Sequence, residues 1–342
     1  MKRAVVDLQS TRAVWRAPAE SIRRITRAFG RGWDVVEVRT PSSSDGDGAE
    51  PSQEALEAVQ SAEVYVGWGV SADIVRSAGP NLVWAHTAAA GVGASLTPGL
   101  LSAGVTLTNS RGTHAEPMGD WAVAAVAFCV RGFHVAVAAQ RARSWSKEAY
   151  ADGSVTLREF ADTRVGIVGL GGVGSAIARR CHALGMHVRG VRRDPKRRKP
   201  PGVSWVGAPN ALSKLAKRTD VLVIAAPQTD ATTHIVDDKV LRALPSQSWV
   251  VNLARGELLD ERALLWHLEK GRLAGAVLDV LATEPLPRKH PFWRHERILI
   301  TPHISGVTNR FWPRETGLIV ENVRRYRKGR RLKNIVNPEV GY

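Results

Sequence analysis

The sequence predicts an α/β protein built from two doubly wound domains with parallel sheets. Short β-branched runs alternate with segments of helical period through almost all of its 342 residues, as successive βα units require. Four such runs come before residue 90: AVVD, WDVVEV, AEVYVGW and LVWAHT. A second series begins at Arg164, and its runs are almost continuously apolar, which is typical of strands buried on both faces of a parallel sheet.

The two series define the domain boundaries that we expect. Of all residues, 44% are apolar, enough for a chain of this length to bury two moderate cores. We assign residues 1–108 to the first domain and 109–305 to the second. A final helical segment at 308–328 follows the second series. We expect it to pack back on the first domain, so that 306–342 belongs there as well.

Two of the segments between strands have distinctive patterns. The stretch from Ala19 to Phe29 places Ile22, Ile25 and Phe29 on one helical face, which predicts an amphipathic surface helix. The stretch 113–130 predicts a long helix that is apolar on most sides. Such a helix must be covered, and either the centre of its own domain or a second subunit would cover it.

The formal net charge of +16 raises the question of a polyanionic partner. Basic residues are concentrated at 189–199 and 324–333. Neither cluster interleaves aromatic residues at the spacing of a base-stacking platform. We therefore interpret most of this charge as solvated surface and do not expect nucleic acid as a partner.

The two cysteines, Cys129 and Cys181, lie in apolar helix-like stretches without paired spacing. The sequence therefore predicts neither a disulfide framework nor a metal site, and a reducing cytoplasm fits. The start of the chain has only a three-residue apolar run before Asp7, too short for the core of a signal peptide. No stretch approaches the roughly 20 apolar residues that span a bilayer, so we expect no membrane association.

A glycine-rich loop opens the second series. The segment VGIVGLGGVGSAIARR places Gly169, Gly171 and Gly174 in a G-x-G-x-x-G pattern, with Gly172 and Val173 between them. The first glycine permits a tight turn, the second lets the backbone approach a pyrophosphate, and the third lets helix and strand pack closely. Because a strand precedes the loop and a helix and a further strand follow it, the pattern predicts a dinucleotide-binding Rossmann domain.

The residue that ends the next strand selects between NAD and NADP. NAD enzymes usually have Asp or Glu there, which binds the ribose 2′-hydroxyl. Here Arg192 and Arg193 occupy this place. Two guanidinium groups would bind a 2′-phosphate through charge-assisted hydrogen bonds, so we favour NADP. Asp194 follows directly and keeps NAD open.

Three more segments fall at or near the carboxyl ends of predicted strands, where an open α/β sheet binds its ligand. They are VVNLARGELLDE, LDVLATEPL and ITPHISG. With the glycine loop, they resemble the D-isomer-specific 2-hydroxyacid dehydrogenases, a family that includes glyoxylate/hydroxypyruvate reductases and phosphoglycerate dehydrogenase. The resemblance covers most of the chain and is strongest from about 105 to 306.

The resemblance implies three catalytic residues. Arg255 matches the arginine that binds the substrate carboxylate and keto oxygen, and a planar guanidinium suits that task. His303 matches the histidine that donates a proton to the keto oxygen, and Glu284 matches its carboxylate partner. A carboxylate on the far ring nitrogen orients an imidazole and stabilises its charged form.

The same resemblance implies further contacts. On the cofactor side they are Asp279, as acceptor for the nicotinamide carboxamide, together with Pro227, Thr232 and Ala254. His234, beside Thr232, we expect to be solvated.

In the first domain, HTAAAGVGASL resembles the family loop that receives the substrate carboxylate, which maps to Ala89, Ala90 and Gly91. Two positions depart from the family. Gly93 stands where Asp is common, which could change the rigidity of this loop and the choice of substrate. Asp120 stands where Glu is common, which shortens the side chain but keeps the charge.

The resemblance also implies an architecture. We expect a Rossmann-type cofactor domain and a flavodoxin-like substrate domain with a cleft between them, and hinges near Asn109 and Ser305. Residues 131–160 resemble an arm that embraces a second subunit, which predicts a homodimer. Phe311 and Trp312 could line the substrate pocket, but we favour a place in the core of the last helix.

We therefore expect a nicotinamide-dependent enzyme that reduces a small 2-keto acid, such as glyoxylate or hydroxypyruvate, to the D-2-hydroxy acid. A dehydrogenase for another small anion, such as formate or phosphite, would use much the same residues. A dinucleotide-sensing, co-repressor-like binding protein is the alternative from a different class. The complete set of Arg255, Glu284 and His303 argues against it, because a binding module needs no acid/base pair.

Overall fold

The computed structural model describes residues 1–44 and 46–339, which divide into two compact units. Unit 1 consists of Met1–His114 and Val307–Tyr342, and unit 2 of Ala115–Gly306. The chain leaves unit 1 after His114, six residues beyond the predicted boundary, and returns one residue beyond it. The first difference arises because residues 110–114 still contact unit 1: the Ser110 hydroxyl donates to the Thr87 carbonyl at 3.1 Å, and the His114 ring stacks on Phe311.

Unit 1 contains a five-stranded, fully parallel sheet. Its strands are β1 Lys2–Asp7, β2 Trp33–Glu37, β3 Val64–Gly67, β4 Trp84–Thr87 and β5 Thr106–Asn109. The helices between them are α1 Ala19–Phe29, α2 Gln53–Ala58, α3 Ala72–Ala78 and α4 Pro98–Ser102. The strand order β2-β1-β3-β4-β5 is that of a flavodoxin-like sheet, as predicted.

Unit 2 contains a seven-stranded parallel sheet of Rossmann type. Its strands are β6 Arg164–Val168, β7 His187–Val191, β8 Val203–Gly207, β9 Val221–Ile224, β10 Trp249–Asn252, β11 Gly275–Leu278 and β12 Ile298–Ile300. Its helices are α5 Ala115–Val130, α6 Phe133–Arg141, α7 Glu148–Ala151, α8 Gly172–Ala183, α9 Leu212–Ala216, α10 Asp238–Ala243 and α11 Glu261–Glu269. In the order β12-β11-β10-β9-β6-β7-β8, the chain reverses direction across the sheet between β6 and β9.

The apolar runs of unit 2 behave as predicted for a sheet covered on both faces. Along β9, Leu222 and Ile224 belong to the core on one face, and Val221 and Val223 to the core on the other. All four side chains are fully buried. Successive side chains of a strand point to opposite faces, so continuous apolarity is what two covered faces demand.

The helical predictions are also confirmed. Helix α1 begins at Ala19, ends at Phe29 and buries Ile22, Ile25 and Phe29. The last helix, α12 Phe311–Arg327, packs against α1 within unit 1. Phe311 is fully buried and Trp312 nearly so, in a cluster with Trp15 and Trp68 of the same unit. Both residues are therefore core residues of this helix.

Helix α5 is the long apolar helix that the sequence predicts. It packs against α8 and contributes Ala122, Val126 and Cys129 to the core of unit 2. The following helix α6 buries none of its residues within the chain. Within the described residues, no single helix is long and apolar enough to cross a membrane. Only the pair of α5 and α6, which is bent by 74°, passes the same criteria of length and composition.

Candidate active site

The glycine loop lies between β6 and α8 in unit 2, where its predicted pattern places it. Gly169 has a φ of +96°, a conformation that side chains rarely adopt. A Cβ at Gly174 would collide with the carbonyl oxygen of Gly169, so the loop requires glycine there. A Cβ at Gly171 would meet nothing within 4 Å. The N-terminus of α8 therefore has open space beside its first amides, which fits the pyrophosphate of a dinucleotide.

The basic segment after β7 is partly folded on itself. The Arg192 guanidinium donates to the carbonyl oxygens of Arg197 and Arg198, so it shapes this loop. Arg193 is exposed. The Asp194 carboxylate accepts from the amide of Lys196 at 3.0 Å and so caps its own turn. Two arginines thus stand where NAD enzymes usually carry an acidic residue. The nearby Asp194 carboxylate is engaged by a backbone amide of its own loop.

Arg255 follows β10 and is held by a local hydrogen-bond pattern. Asn252, the last residue of the strand, donates from Nδ2 to the Arg255 carbonyl at 2.9 Å and accepts from the Ala254 amide at 3.1 Å. The Arg255 side chain uses Nη1 to donate to the Ala254 carbonyl at 2.7 Å. The other N–H groups of this half-buried guanidinium are available for an anionic ligand.

His303 and Glu284 form the predicted pair. His303 Nδ1 lies 2.8 Å from Glu284 Oε2, and the other carboxylate oxygen accepts from the Leu281 amide at 2.9 Å. Partial burial alone would raise the pKa of Glu284, but these two hydrogen bonds and the positive charges of His303 and Arg255 outweigh it and lower the pKa. Arg255 is therefore close enough to act electrostatically on the pair.

Asp279 fixes the loop that carries His303. Its side chain is buried, with 1% exposure, just after β11. Its carboxylate accepts from the Thr301 hydroxyl at 2.5 Å, the Ile304 amide at 2.9 Å and the Ser305 amide at 2.8 Å. His303 itself has a φ of +54°, an uncommon conformation for a residue with a side chain. The Asp279 carboxylate thus holds a side chain before the strained histidine and two backbone amides after it.

The loop after β9 is closed by Thr232. Its hydroxyl donates to the Pro227 carbonyl at 2.8 Å and accepts from the Thr229 amide at 2.8 Å. Pro227 lies exposed at the carboxyl end of the sheet, which leaves the predicted cofactor contact sterically open. His234 is exposed, as predicted.

The predicted carboxylate loop of unit 1 follows β4. Its backbone is fixed from one side, because Asn109 Nδ2 donates to the Ala90 carbonyl at 2.7 Å and Ser110 donates its amide to the Ala89 carbonyl at 3.0 Å. The Ala89 amide donates to the Thr87 hydroxyl oxygen at 3.2 Å and is therefore already occupied. Within the described residues, no acceptor lies within hydrogen-bond range of the amides of Ala90 and Gly91. These two amides are therefore the donors that an anion could use.

A dinucleotide loop, a guanidinium and an imidazole paired with a carboxylate, all at the carboxyl ends of one parallel sheet, define an NAD(P)-dependent oxidoreductase. Residues 123–305, more than half of the chain, match the family model of the D-isomer specific 2-hydroxyacid dehydrogenase, NAD binding domain. The chain belongs to this family.

Named relatives agree with this assignment. The chain is 34% identical to glyoxylate/hydroxypyruvate reductase A of Serratia proteamaculans over 62% of its own length and 65% of that protein, just under two thirds. With the protein of the same name from Photorhabdus laumondii, it is 34% identical over 72% of this chain and 75% of that one. The crystal structure of a D-isomer specific 2-hydroxyacid dehydrogenase from Xanthobacter autotrophicus, in complex with NADPH and MES, superposes with a TM-score of 0.80 at 28% identity, covering 100% of this chain and 99% of that one.

Sequence reasoning missed two features of these sites. It assigned Asp279 a cofactor contact and did not foresee its three bonds to the loop at 301–305. The composition of 41–52 also predicts an exposed, mobile loop, whereas Ser42 and Ala49 are buried and Asp47 is bonded to residues 94 and 95. Its Ser/Asp/Gly composition indicated a loop but not its partners.

Proposed function

We propose that the chain reduces a small 2-keto acid of the glyoxylate or hydroxypyruvate type to the D-2-hydroxy acid, with NADPH as the preferred cofactor. The observation that carries this proposal is the His303–Glu284 pair, at 2.8 Å, under the electrostatic influence of Arg255. Similarity to glyoxylate/hydroxypyruvate reductases over much of the chain supports the substrate class.

Each residue of the site has a distinct role in the proposed reaction. When bound, the reduced nicotinamide supplies the hydride for the keto carbon. Arg255 binds the substrate carboxylate and polarises the keto group. In unit 1, the amides of Ala90 and Gly91 are donors for a carboxylate. His303 gives its Nε2 proton to the keto oxygen, while Glu284 holds Nδ1 and stabilises the charged imidazole. In the oxidative direction, His303 accepts the proton.

The cofactor contacts of unit 2 belong to the same proposal. Gly169, Gly171, Gly172, Val173 and Gly174 would hold the pyrophosphate at the start of α8. Pro227, Thr232, Ala254 and Asp279 would line the nicotinamide side. Thr232 and Asp279 also form hydrogen bonds to neighbouring backbone groups. We therefore propose that they maintain the shape of this subsite in addition to any direct contact with the cofactor.

The decisive assay follows the oxidation of NADPH, and separately of NADH, by absorbance with a panel of 2-keto acids. We expect turnover with glyoxylate and hydroxypyruvate. Turnover with none of the keto acids, together with tight cofactor binding, would favour the dinucleotide sensor. Oxidation of formate or phosphite instead would favour the dehydrogenase for another small anion.

The acid role of His303 is tested by His303→Ala, which should lower kcat by about 10² to 10⁴-fold because proton transfer loses its donor. His187→Ala is the matched control, because His187 is exposed at the start of β7, five strands away from β12 in the same sheet. We expect that control to keep wild-type kcat. Wild-type turnover in His303→Ala would remove the proton-transfer role.

Cofactor preference is tested at the end of β7. Arg193→Ala should raise KM for NADPH and leave KM for NADH unchanged, and the double variant Arg192→Asp with Arg193→Ala should shift preference further toward NADH. Arg218→Ala controls for the loss of one exposed charge from unit 2. An unchanged ratio of kcat/KM for the two cofactors in the double variant would contradict recognition of a 2′-phosphate.

We also propose a homodimer that uses residues 131–160. None of the α6 residues is buried, and Phe133 and Trp145 are 51% and 95% exposed, a costly arrangement for such side chains in water. The double variant Phe133→Asp with Trp145→Asp should shift the mass in light scattering from dimer to monomer. Trp266→Asp, at another exposed tryptophan, should not. A wild-type monomer at micromolar concentration would overturn this assembly.

A further inference from the structure

In the segment between β2 and α2, described residues on either side of position 45 are joined by hydrogen bonds. Ser43 and Glu50 tie its ends, because the Ser43 amide donates to the Glu50 carbonyl at 3.0 Å and the Glu50 amide donates to the Ser43 hydroxyl at 2.8 Å. At its base, the buried Ser42 donates its hydroxyl to Asp7 at 3.1 Å. Loops with joined ends and internal packing are compact structures. This loop can therefore place a side chain reproducibly.

The side chain that it places is Asp47. The Asp47 carboxylate accepts from the Ala94 amide at 2.6 Å, from the Ser95 amide at 3.2 Å and from the Ser95 hydroxyl. Ser95 is fully buried, and its hydroxyl oxygen accepts from the amide of Val70, just after β3, at 3.0 Å. Asp47 thus joins its own loop to the segment at 94–95 through charge-assisted hydrogen bonds, and Ser95 extends the link to Val70.

The segment that Asp47 holds comes directly after the proposed carboxylate loop. Residues 92–96 form one helical turn, closed by the Leu96 amide on the Val92 carbonyl at 3.0 Å. The first amides of such a turn have no partner within it, so a carboxylate placed there both satisfies and orients them. Gly91 directly precedes this turn. An anchor at 94 and 95 therefore fixes the end of the segment that carries the amides of residues 90 and 91.

The chain has no acidic residue of its own in this turn. A side-chain carboxylate at Gly93 would lie within reach of the Ser95 amide two residues on. Gly93 is exposed, its φ is outside the left-handed region, and a Cβ on it would meet nothing within 4 Å. The backbone at this position thus accepts an aspartate without strain.

We propose that Asp47 is a positioning residue for the substrate: it supplies, from the neighbouring loop, the carboxylate that the turn lacks at Gly93, and so holds the amides of Ala90 and Gly91 in place for a 2-keto carboxylate. The inference rests on the proposed function. It adds a residue that touches no substrate and acts through the backbone of the loop.

The test uses four variants of the full chain: Asp47→Ala, Gly93→Asp, the double variant that combines them, and Glu50→Ala. Glu50 lies on the same loop with an exposed side chain, so its variant controls for lost charge. We expect Asp47→Ala to raise KM for the keto acid about tenfold, with kcat and KM for NADPH near wild type. The double variant should recover most of this loss, and Glu50→Ala should resemble the wild type.

A second readout does not depend on turnover. Hydrogen exchange of a peptide that covers residues 88–97 should accelerate in Asp47→Ala and slow again in the double variant. If the wild type reduces no keto acid, the proposed function fails while the exchange data still test the anchor. If the wild type turns over and Asp47→Ala changes neither KM nor exchange, the anchor is overturned. A KM defect that Gly93→Asp leaves uncorrected would overturn the replacement of a carboxylate at Gly93.

Discussion

The loop at 301–305 in unit 2 and the turn at 92–96 in unit 1 are held in the same way. In each, one aspartate from elsewhere in the chain accepts from two consecutive backbone amides and from one hydroxyl group. Asp279 binds the amides of Ile304 and Ser305 and the Thr301 hydroxyl. Asp47 binds the amides at 94 and 95 and the Ser95 hydroxyl.

The two anchors differ in what supports the aspartate. Asp279 is buried directly after β11, and its own amide is bonded to the Asn252 carbonyl at 2.8 Å. Asp47 stands on a partly exposed loop outside the sheet. A proton donor must be placed to a fraction of an ångström, whereas a carboxylate-binding loop tolerates more movement. The comparison therefore associates a strand-supported anchor with the proposed proton donor and a loop-supported anchor with the proposed carboxylate loop.

Asp279→Asn should have the largest effect, because it replaces the buried carboxylate that accepts hydrogen bonds from three donors with a neutral amide. We expect the free energy of unfolding to fall by about 2–3 kcal/mol and kcat to fall by about a hundredfold as His303 loses its position. Asp47→Asn should cost less than about 1 kcal/mol, since the site is partly hydrated. Urea unfolding and NADPH oxidation measure both. Equal destabilisation by the two variants would break the distinction between the anchors.

The hydroxyl groups offer a finer comparison. Thr301→Val keeps the shape of the side chain and removes the 2.5 Å bond to Asp279, so it should lower kcat severalfold and stability by about 1 kcal/mol. Ser95→Ala should instead raise KM for the keto acid and leave kcat near wild type. Steady-state kinetics separate the two patterns, with Thr233→Val, at an exposed threonine, as control. A fall in kcat for Ser95→Ala would show that both loops serve the chemical step.

Much of this architecture follows from patterns that are local in sequence. The apolar runs predict ten of the strands, and the glycine spacing predicts the turn before α8, because strand burial and glycine conformations are properties of short segments. The strands β5 and β8 escaped prediction, since VTLTN and VSWVG are short and mix apolar with polar residues. Arg255, Glu284 and His303 could be proposed as catalytic residues only because three motifs occur together, in the same order as in the family that the sequence resembles.

What the sequence could not predict are the hydrogen-bond partners. Asp47 lies 47 residues from Ala94, and Asp279 lies 26 from Ser305. Which amides a carboxylate reaches over such separations depends on how loops pack at the ends of strands, and no pattern in the segments themselves records it. For the same reason, nothing in the run of arginines after β7 indicates that Arg192 folds back on residues 197 and 198.

The smallest expected effect concerns pH and the partner of His303. The folded-state pKa of Glu284 lies below its ordinary value of 4.5. A group with a lowered pKa stabilises the folded state fully above its unfolded pKa and loses this contribution as the pH falls through the folded value. The difference in urea midpoint between the wild type and Glu284→Gln should therefore stay constant above about pH 6. It should become smaller below pH 4.5. Glu261→Gln, at a carboxyl whose pKa is raised chiefly by burial, provides the opposite sign and the control. A gap for Glu284→Gln that stays constant down to pH 3.5 would mean that its charge does not support the loop of His303.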